Sequence, residues 1–415
     1  MKLVQTEIGE MPAHWDRKPL TNLLSFIVDN RGKTAPTSDI GIPLIATNCI
    51  KEFGLYPVKE KVRYISPETY HTWFRAHPFP NDIIFVNKGT PGQVCLVPDP
   101  VDFCIAQDMV AIRADESKID WKFLFAYLRS NNFKKQVQGL NVGTTIPHLK
   151  KTVFKQLQIP IPSTEEQKII GENYYKLSSK IELNLQMNTT LEQIAQAIFK
   201  RWFVDFQFPG FDGELIDGLP KGWRMGKVKD VCNVNNNTLS VKDDLEEIRY
   251  IEISEVSQGI VNNISSYKRG EEPSRAKRKL VHGDVVISTV RPDRGSYFLA
   301  FHPEKNLIAS TGFAVFTATI VPFSFLYIFL TDPEQLNYYG RVADGGAYPA
   351  INPSVIMDLD MVIPSNEVLI SFHEIAEKLF ERISGNFAEI KTLTQLRDGL
   401  LPKLMSGKLR VKSEE

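Results

Sequence analysis

A chain of 415 residues exceeds the usual size of one hydrophobic core, so at least two domains are expected. Lys and Arg balance Asp and Glu at 49 each, so the net field of the protein attracts no polyanion and nucleic acid must be bound by local basic patches. The longest apolar run, residues 321–330, is too short to span a bilayer, and the first residues lack the apolar core of a signal peptide. We therefore expect a cytoplasmic chain with no membrane partner.

The cysteine pattern excludes two common kinds of stabilising site. Cys49, Cys95, Cys104 and Cys232 form no CxxC pair and have no partner histidines at metal-ligand spacing. The pattern predicts neither a zinc site nor a disulfide framework, and it fits a reducing compartment.

Short signatures recur along the chain in the same order, which indicates an internal repeat. From residue 143 to about residue 205 the offset between the two copies stays at 202. The chain is therefore predicted to be two copies of one unit. The matching pairs are GEMPAHW (9–15) with DGLPKGW (217–223), NDIIFV (81–86) with GDVVIS (283–288), and GTTIPHL (143–149) with GGAYPAI (345–351).

Each copy is predicted to open with a strand-rich region and to close with a long helix. NDIIFV and its counterpart are typical of buried strands, and WKFLFAYLRS (121–130) is typical of a helix. A helix from Glu165 to Trp202 would be roughly 57 Å long at 1.5 Å per residue.

Capping residues mark where the long helices begin. Ser163 and Glu166 form a capping box for the first, whereas in the second Ser365 or Asn366 can cap and Val368 replaces the box glutamate. Pro402 should end or kink the second helix.

Both long helices carry apolar residues at alternating spacings of four and three, which predicts a coiled coil in which each helix is the other's simplest partner. Asn184 and Asn386 occupy the same repeat position, where a buried amide costs stability but penalises slipped registers. The predicted core positions are Ile170, Leu177, Ile181, Asn184, Leu191, Ile198, Leu379, Ile383, Asn386 and Leu393.

Two segments, 189–223 and 393–411, closely resemble the DNA specificity subunit of type I restriction-modification enzymes. The resemblance covers nearly the whole chain and implies an α+β fold: two repeated, strand-rich, mixed target recognition domains joined by two long helices that form an antiparallel coiled coil. The boundaries that we expect are target recognition domain 1 (1–150), spacer helix region 1 (151–206), a linker (207–222), target recognition domain 2 (223–352) and spacer helix region 2 with the tail (353–415).

The resemblance also implies a function without catalysis in this chain. Each domain would read one half of a bipartite site in double-stranded DNA, and the helices would fix the spacing. The helices would also dock two modification subunits, which carry S-adenosylmethionine (AdoMet) and methylate adenine at N6. A separate restriction subunit would use ATP and Mg²⁺ to translocate and cut. No cofactor or metal is expected in this chain.

Basic and polar clusters are the candidates for DNA contact, because Lys and Arg meet phosphates while Arg, Asn and Gln read base edges. A polar loop follows the same buried strand in both copies, which favours function over the alternative that each cluster is ordinary solvated charge. Thr144, Thr145 and His148 either touch phosphate or shape a turn. The candidates are Arg31, Lys33, Lys88, Thr90, Gln93, Thr144, Thr145, His148, Arg275, Lys277, Arg278, Lys279, Arg291, Arg294 and Ser296.

Two rival functions are consistent with the sequence. One is a DNA-independent protein-interaction scaffold with two repeated modules on a coiled coil. The other is a nuclease, which requires Asp99, Glu116 and Lys118 to converge around Mg²⁺. GKT (32–34) lacks the upstream glycine of a phosphate loop, since Ile27 holds that position.

Overall fold

The computed structural model describes residues 3–30, 32–52, 54–140, 147–346 and 348–409. The chain divides into two compact units. Unit 1 comprises Met1–Leu185 and Phe387–Glu415, and unit 2 comprises Gln186–Asn386. Both divisions fall inside the long helices, so each unit contains part of each helix.

Unit 1 is built on an antiparallel sheet in the order β4-β10-β7-β8 and a second sheet in the order β6-β5-β9, in which β5 and β9 are parallel. Two further pairs, β1 with β2 and β3 with β11, are antiparallel. The strands are β1 (Leu3–Thr6), β2 (Gly9–Pro12), β3 (Asp16–Pro19), β4 (Leu24–Val28), β5 (Ile42–Ile45), β6 (Arg63–Ile65), β7 (Ile83–Val86), β8 (Val94–Leu96), β9 (Cys104–Ile105), β10 (Met109–Ala114) and β11 (Gln158–Ile161).

Among the described residues of unit 1, three short α-helices accompany these strands: α1 (Pro67–Thr72), α2 (Trp121–Leu128) and α3 (Asn131–Leu140). Helix α2 confirms the helix predicted at residues 121–130. It begins where the Phe123 backbone N–H donates to the Asp120 carboxylate at 2.9 Å, and its residues from Phe123 to Leu128 are buried. The side of α2 that faces the long helix is close-packed, because a Cβ on Gly171 would lie 2.5 Å from the Phe123 nitrogen.

Unit 2 repeats this plan. Its main sheet, in the order β15-β24-β21-β22, again has four strands, and its second sheet, in the order β19-β16-β23-β20, has four described strands where that of unit 1 has three. The pairs β12 with β13, β14 with β25, and β17 with β18 are antiparallel. The strands are β12 (Leu215–Ile216), β13 (Leu219–Pro220), β14 (Arg224–Lys227), β15 (Cys232–Val234), β16 (Glu247–Ile251), β17 (Val256–Ser257), β18 (Ile260–Val261), β19 (Ser265–Lys268), β20 (Ala276–Lys279), β21 (Asp284–Ser288), β22 (Tyr297–Ala300), β23 (Leu307–Ser310), β24 (Phe313–Ala318) and β25 (Asp360–Ile363).

The constant offset between the two copies extends further than the sequence indicates. Helices α5 (Phe323–Leu330) and α6 (Pro333–Val342) begin and end at the positions that the same offset assigns to α2 and α3, and β25 likewise corresponds to β11. A short helix, α7 (Pro353–Met357), precedes β25. The apolar run at 321–330 is therefore the second copy of α2, buried in unit 2 for the same reason that α2 is buried in unit 1.

The long helices are α4 (Thr164–Phe199), which continues as a π-helical turn over Lys200–Val204, and α8 (Asn366–Met405). The capping box of α4 is confirmed: the Glu166 N–H donates to the Ser163 hydroxyl at 3.2 Å, and the Ser163 N–H donates to the Glu166 carboxylate at 3.0 Å.

Pro402 does not end α8, which runs on to Met405. Leu401, Leu404 and Met405 are buried in the core of unit 1. That burial offsets the backbone hydrogen bond that a proline inside a helix cannot donate.

Within each unit the two long helices run antiparallel. In unit 1 the Asn184 side chain donates to the Glu389 carboxylate at 2.8 Å. Tyr174, which precedes Asn184 on α4, has its ring centroid 5.8 Å from the guanidinium carbon of Arg397, which follows Glu389 on α8. Residues further along α4 thus contact residues earlier in α8, which confirms the antiparallel coiled coil.

The same direction holds in unit 2, where Asn386 donates to Asn188 at 2.7 Å and Phe372 packs on Trp202. All ten predicted core positions are buried or half-buried. Asn386 is 1% and Asn184 0% exposed, and each bonds across to the partner helix. Both asparagines therefore provide the register-specific amides that their repeat position predicts.

Candidate nucleic-acid interface

In unit 1, the loop between β7 and β8 (residues 87–93, the β7–β8 loop) is fixed by the segment that leads to the long helix. The Gly89 N–H donates to the Pro147 carbonyl at 3.0 Å, and the Leu149 N–H donates to the Asn87 carbonyl at 2.8 Å. Two regions that the sequence marks as repeated signatures are thus in direct contact.

Unit 2 makes the same two bonds, at the equivalent positions of the repeat, in the loop between β21 and β22 (residues 289–296, the β21–β22 loop). The Arg291 N–H donates to the Pro349 carbonyl at 2.8 Å, and the Ile351 N–H donates to the Thr289 carbonyl at 2.9 Å. The loops differ in sequence but share one backbone frame, so the repeat presents different side chains from equivalent positions.

One position in this frame needs a left-handed backbone in both units. Gly89 has φ of +89° and the equivalent Arg291 has φ of +47°. Glycine adopts this conformation without strain, whereas an arginine pays a conformational cost. Strained residues of this kind concentrate at functional sites, which favours a functional reason for the arginine.

In unit 2, a single turn connects the two groups of candidate basic residues. The Thr311 N–H donates to the Arg275 carbonyl at 2.8 Å, and the Gly312 carbonyl accepts from the Thr289 N–H at 2.9 Å. Adjacent residues Thr311 and Gly312 thereby link the start of the basic strand β20 to the β21–β22 loop. Strand β20 is an edge strand of its sheet.

The corresponding turn of unit 1, between β9 and β10, connects its candidates in the same way. Gln107 donates from its side chain to the Thr34 hydroxyl at 3.3 Å, next to Lys33. The Asp108 carbonyl accepts from the Asn87 N–H at 2.9 Å. In both units, therefore, clusters that are far apart in sequence converge on the turn before the last strand of the main sheet.

The exposure of the candidates divides them into two groups. Lys33, Lys88, Thr90, Arg275, Lys277 and Arg294 are exposed, whereas Gln93, His148, Arg278, Lys279, Arg291 and Ser296 are half-buried. His148 is fixed by a β-bridge to Lys88. Arg31, Thr144 and Thr145 lie outside the described residues.

Local electrostatics make two residues of β20 poorer candidates than their neighbours. Lys279 forms an ion pair with Asp243, and this contact lowers the pKa of the Asp243 carboxyl. Burial lowers the pKa of the Arg278 guanidinium, whose Nε has no hydrogen-bond partner among the described residues. Arg275 and Lys277 are exposed to solvent and are better placed to meet phosphates.

Sequence reasoning missed one prominent side chain, Tyr348. Its ring lies under the Arg291 guanidinium at 4.6 Å and is 71% exposed. A tyrosine in the signature GGAYPAI is a usable signal, because that signature meets the loop that carries Arg291.

The structure gives no support to the nuclease hypothesis. Lys118 forms an ion pair with Asp115 at 2.7 Å. The described residues contain no group of three His, Cys, Asp or Glu side chains that could hold a metal ion.

Among the helices of the described ranges, none is long and apolar enough to cross a bilayer.

A known family matches this arrangement over most of the chain. The type I restriction modification DNA specificity domain matches residues 44–193 and 220–395, once in each copy of the repeat. The repeat and this family match therefore define a DNA specificity protein. The chain belongs to the family of type I restriction-modification specificity subunits.

Relatives that match most of the chain support the assignment. The chain is 24% identical to the type I restriction enzyme MjaIX specificity subunit of Methanocaldococcus jannaschii, over 98% of this chain and 96% of that protein. It is 25% identical to the HindI specificity subunit of Haemophilus influenzae, over 77% of this chain and 84% of that protein. The crystal structure of the S subunit from M. genitalium shares the fold with a TM-score of 0.51, at 18% identity over 96% of this chain and 97% of that one.

Proposed function

We propose that each unit reads one half of a bipartite duplex DNA site. Target recognition domain 1 (1–150) and target recognition domain 2 (223–352) carry the reading surfaces, and regions 151–206 and 353–415 carry the spacer helices. The observation that carries this proposal is the shared backbone frame of the β7–β8 and β21–β22 loops. Equivalent loops with different side chains are what two half-sites of different sequence require.

Two weak DNA-binding surfaces on one stiff frame bind in concert. Once the first surface is bound, the second acts at a high effective concentration, provided that the frame sets the correct distance. The separation of the half-sites then becomes part of the specificity, as it does for dimeric DNA-binding proteins. The proposal assigns the role of this frame to the antiparallel coiled coil.

The partners of this chain follow from the same proposal. Two modification subunits dock on the coiled coil and supply AdoMet for adenine N6 methylation, and a restriction subunit supplies ATP- and Mg²⁺-dependent cleavage. The complex works in the cytoplasm, where the DNA of a bacterial or archaeal cell is accessible.

Selection from a random duplex library by the assembled complex tests the division of labour. The proposal predicts that retained sequences share two short specified blocks separated by a fixed number of unspecified base pairs. A single contiguous block would contradict reading by two units. Retention no greater than that of the modification subunits alone, with no enriched sequence, would favour the DNA-independent protein-interaction scaffold.

A further inference from the structure

Unit 1 contains a cavity of about 720 Å³ between the N-terminal end of α3 and the C-terminal part of α8. We call it the α3–α8 cavity. Every described residue that lines it belongs to unit 1. Sites for small molecules measure roughly 300 to 1,000 Å³, so this cavity is large enough for such a ligand.

A buried arginine lines the α3–α8 cavity with part of its hydrogen-bonding capacity unused. The Arg397 side chain is 2% exposed, and its Nε atom donates to the Asp398 carboxylate at 2.8 Å. Its two Nη atoms have no acceptor among the described residues. A buried guanidinium is costly unless its donors are satisfied, so a ligand with acceptor oxygens would stabilise this arrangement.

The lining of the cavity is positively charged. Among the described residues that line it, five side chains are cationic and three are anionic, which gives a net charge of +2. Each carboxylate already has a cationic partner. The three pairs are Glu52 with Lys134 at 2.7 Å, Glu10 with Lys408 at 3.1 Å, and Asp398 with Arg397 at 2.8 Å. The remaining cations are Arg129 and Lys403, so the cavity favours an anionic ligand.

The first turn of α3 adds backbone donors to the same cavity. The Ser130 hydroxyl caps this helix by accepting from the Phe133 N–H at 3.2 Å. Ser130, Asn131 and Asn132 all line the cavity. Phosphate groups bind at helix N-termini, where N–H groups and the helix dipole attract negative charge. An arginine fork also matches phosphate oxygens in a bidentate manner. The combined donors therefore fit a phosphate group.

Apolar side chains complete the lining. Leu401, Pro402 and Met405 on α8 line the cavity, together with Val94 and Leu128. A ligand that carries an apolar body beside its phosphate would remove these surfaces from water.

The second copy of the repeat does not share the charged lining. At the offset of 202 residues, the corresponding pairs are Arg397 with Ala195, Arg129 with Thr331, and Lys134 with Leu336. Phe199 and Phe203 stand where unit 1 has Leu401 and Met405, and their rings pack on Phe325 at 5.2 and 4.8 Å. The repeated architecture therefore does not require these cations, which favours a function particular to unit 1.

We propose that the α3–α8 cavity binds a small phosphomonoester with an apolar body. The Arg397 fork and the first turn of α3 hold the phosphate, Lys403 adds positive charge, and the apolar residues of α8 contact the body. The charge of a phosphomonoester, about −1.5 to −2 at pH 7, matches the net charge of the lining. This inference is independent of DNA reading.

Calorimetric titration of the full chain at constant ionic strength tests the inference with three probes: adenosine 5′-monophosphate (AMP), adenosine and inorganic phosphate. AMP should bind about 10-fold or more tightly than adenosine, because charge-assisted hydrogen bonds hold the phosphate. AMP should also bind more tightly than inorganic phosphate, which should displace it. Hydrogen exchange should show that AMP protects residues 131–140 and 397–405.

Three variants assign the contacts. Arg397→Met should weaken AMP binding about 10-fold or more without lowering stability in urea, because it removes a buried charge that lacks full pairing. The exposed Lys403→Gln should weaken binding about 2- to 5-fold. Lys391→Gln, exposed on the same helix outside the cavity, is the control and should leave binding unchanged.

Several results would overturn the inference. Equal affinities for AMP and adenosine would show that the phosphate is not recognised, and equal affinities for AMP and inorganic phosphate would refute the contact with an apolar body. AMP binding that is absent at millimolar concentration, or that Arg397→Met and Lys403→Gln leave unchanged, would also contradict it. A loss of DNA affinity in Arg397→Met without any AMP binding would assign the cavity to the DNA backbone instead.

Discussion

At the scale of residues, we propose different tasks for the two basic groups of unit 2. Arg275 and Lys277 are exposed on an edge strand or next to it, where flexible cations can follow the phosphate backbone. Arg291 is half-buried and fixed by its backbone bond and by Tyr348. Phosphate contacts give affinity without sequence information, whereas fixed side chains at base edges give specificity.

Replacing the exposed pair should therefore weaken binding without changing what is read. Arg275→Gln combined with Lys277→Gln should reduce the slope of log affinity against log salt by roughly 2, because each phosphate contact releases about one counterion. The enriched motif should stay the same. Binding titrations at several salt concentrations measure the slope, with the exposed Lys242→Gln as the control. An unchanged slope would show that β20 does not meet the DNA backbone.

At the scale of elements, the coiled coil carries buried polar groups that tie its stability to register and to pH. The Glu192 carboxylate on α4 is largely buried, and burial raises its pKa to about 7. The nearby Tyr297 and Tyr327 also have raised pKa values, so they stay neutral and provide no positive partner. A Cβ on Gly259 would lie 3.0 Å from the Glu192 carboxylate.

Unit 2 should therefore become less stable as pH rises through this range. The folded state of Glu192 keeps its proton up to a pKa of about 7, whereas the unfolded state loses it near the ordinary glutamate value of 4.5. The cost of the buried charge is thus absent below the unfolded pKa, grows between the two values and is complete above pH 7.

Glu192→Gln should remove most of that cost. It should stabilise the protein by about 1 to 3 kcal/mol at pH 8 and by much less near pH 5. Unfolding in urea at the two pH values measures the difference, with the exposed Glu381→Gln as the control. A gain that is equal at both pH values would contradict a titrating Glu192.

The bond between Asn386 and Asn188 should be a large local contribution to register. Asn386→Leu leaves the buried side-chain oxygen (Oδ1) of Asn188 without its donor and should cost about 1 to 3 kcal/mol. Replacing both asparagines by leucine should recover most of that loss. Thermal unfolding and hydrogen exchange of residues 366–386 measure the effect, with the exposed Asn337→Leu as a control. Equal stability of the single and double variants would show that the amide pair is not coupled.

The elements that sequence could predict are those with a local signal. The capping box at Ser163 and Glu166, the helix at 121–130 and the heptad positions all follow from nearby residues. The continuation of α8 past Pro402 could not be predicted in this way. The burial of Leu404 and Met405 in the core outweighs the tendency of proline to end a helix.

The candidate site follows the same division. Sequence identified the clusters around Lys33, Lys88, Arg275 and Arg291, since residue type and repetition are local properties. It could not show that the clusters of each unit meet at one turn, because the hydrogen bonds of Thr311 and Asp108 join residues far apart in the chain. Nor could it identify Tyr348, whose meaning depends on the ring lying under Arg291.

At the scale of the whole molecule, the chain uses one architecture twice and joins the copies through helices that belong to both units. A repeated frame allows one reading surface to change without altering the other. Under the proposed function, the distance between half-sites depends on the length of the shared helices.

Shortening both helices should therefore shorten the spacer. Deleting residues 183–189 and 385–391 removes one heptad from each helix, or roughly 10 Å at 1.5 Å per residue. The number of unspecified base pairs should fall by about three at 3.4 Å each, with both specified blocks unchanged. Library selection by the shortened complex measures the spacing. The wild-type spacing in a folded variant would contradict the coiled coil as a ruler.

The most direct test of the central claim is methylation mapping of DNA from cells that express this chain with its modification subunit, compared with cells that express that subunit alone. The account predicts a split motif methylated at adenine N6 that appears only when this chain is present. Absence of that motif, with the complex confirmed and the methyltransferase active, would contradict a role in DNA specificity.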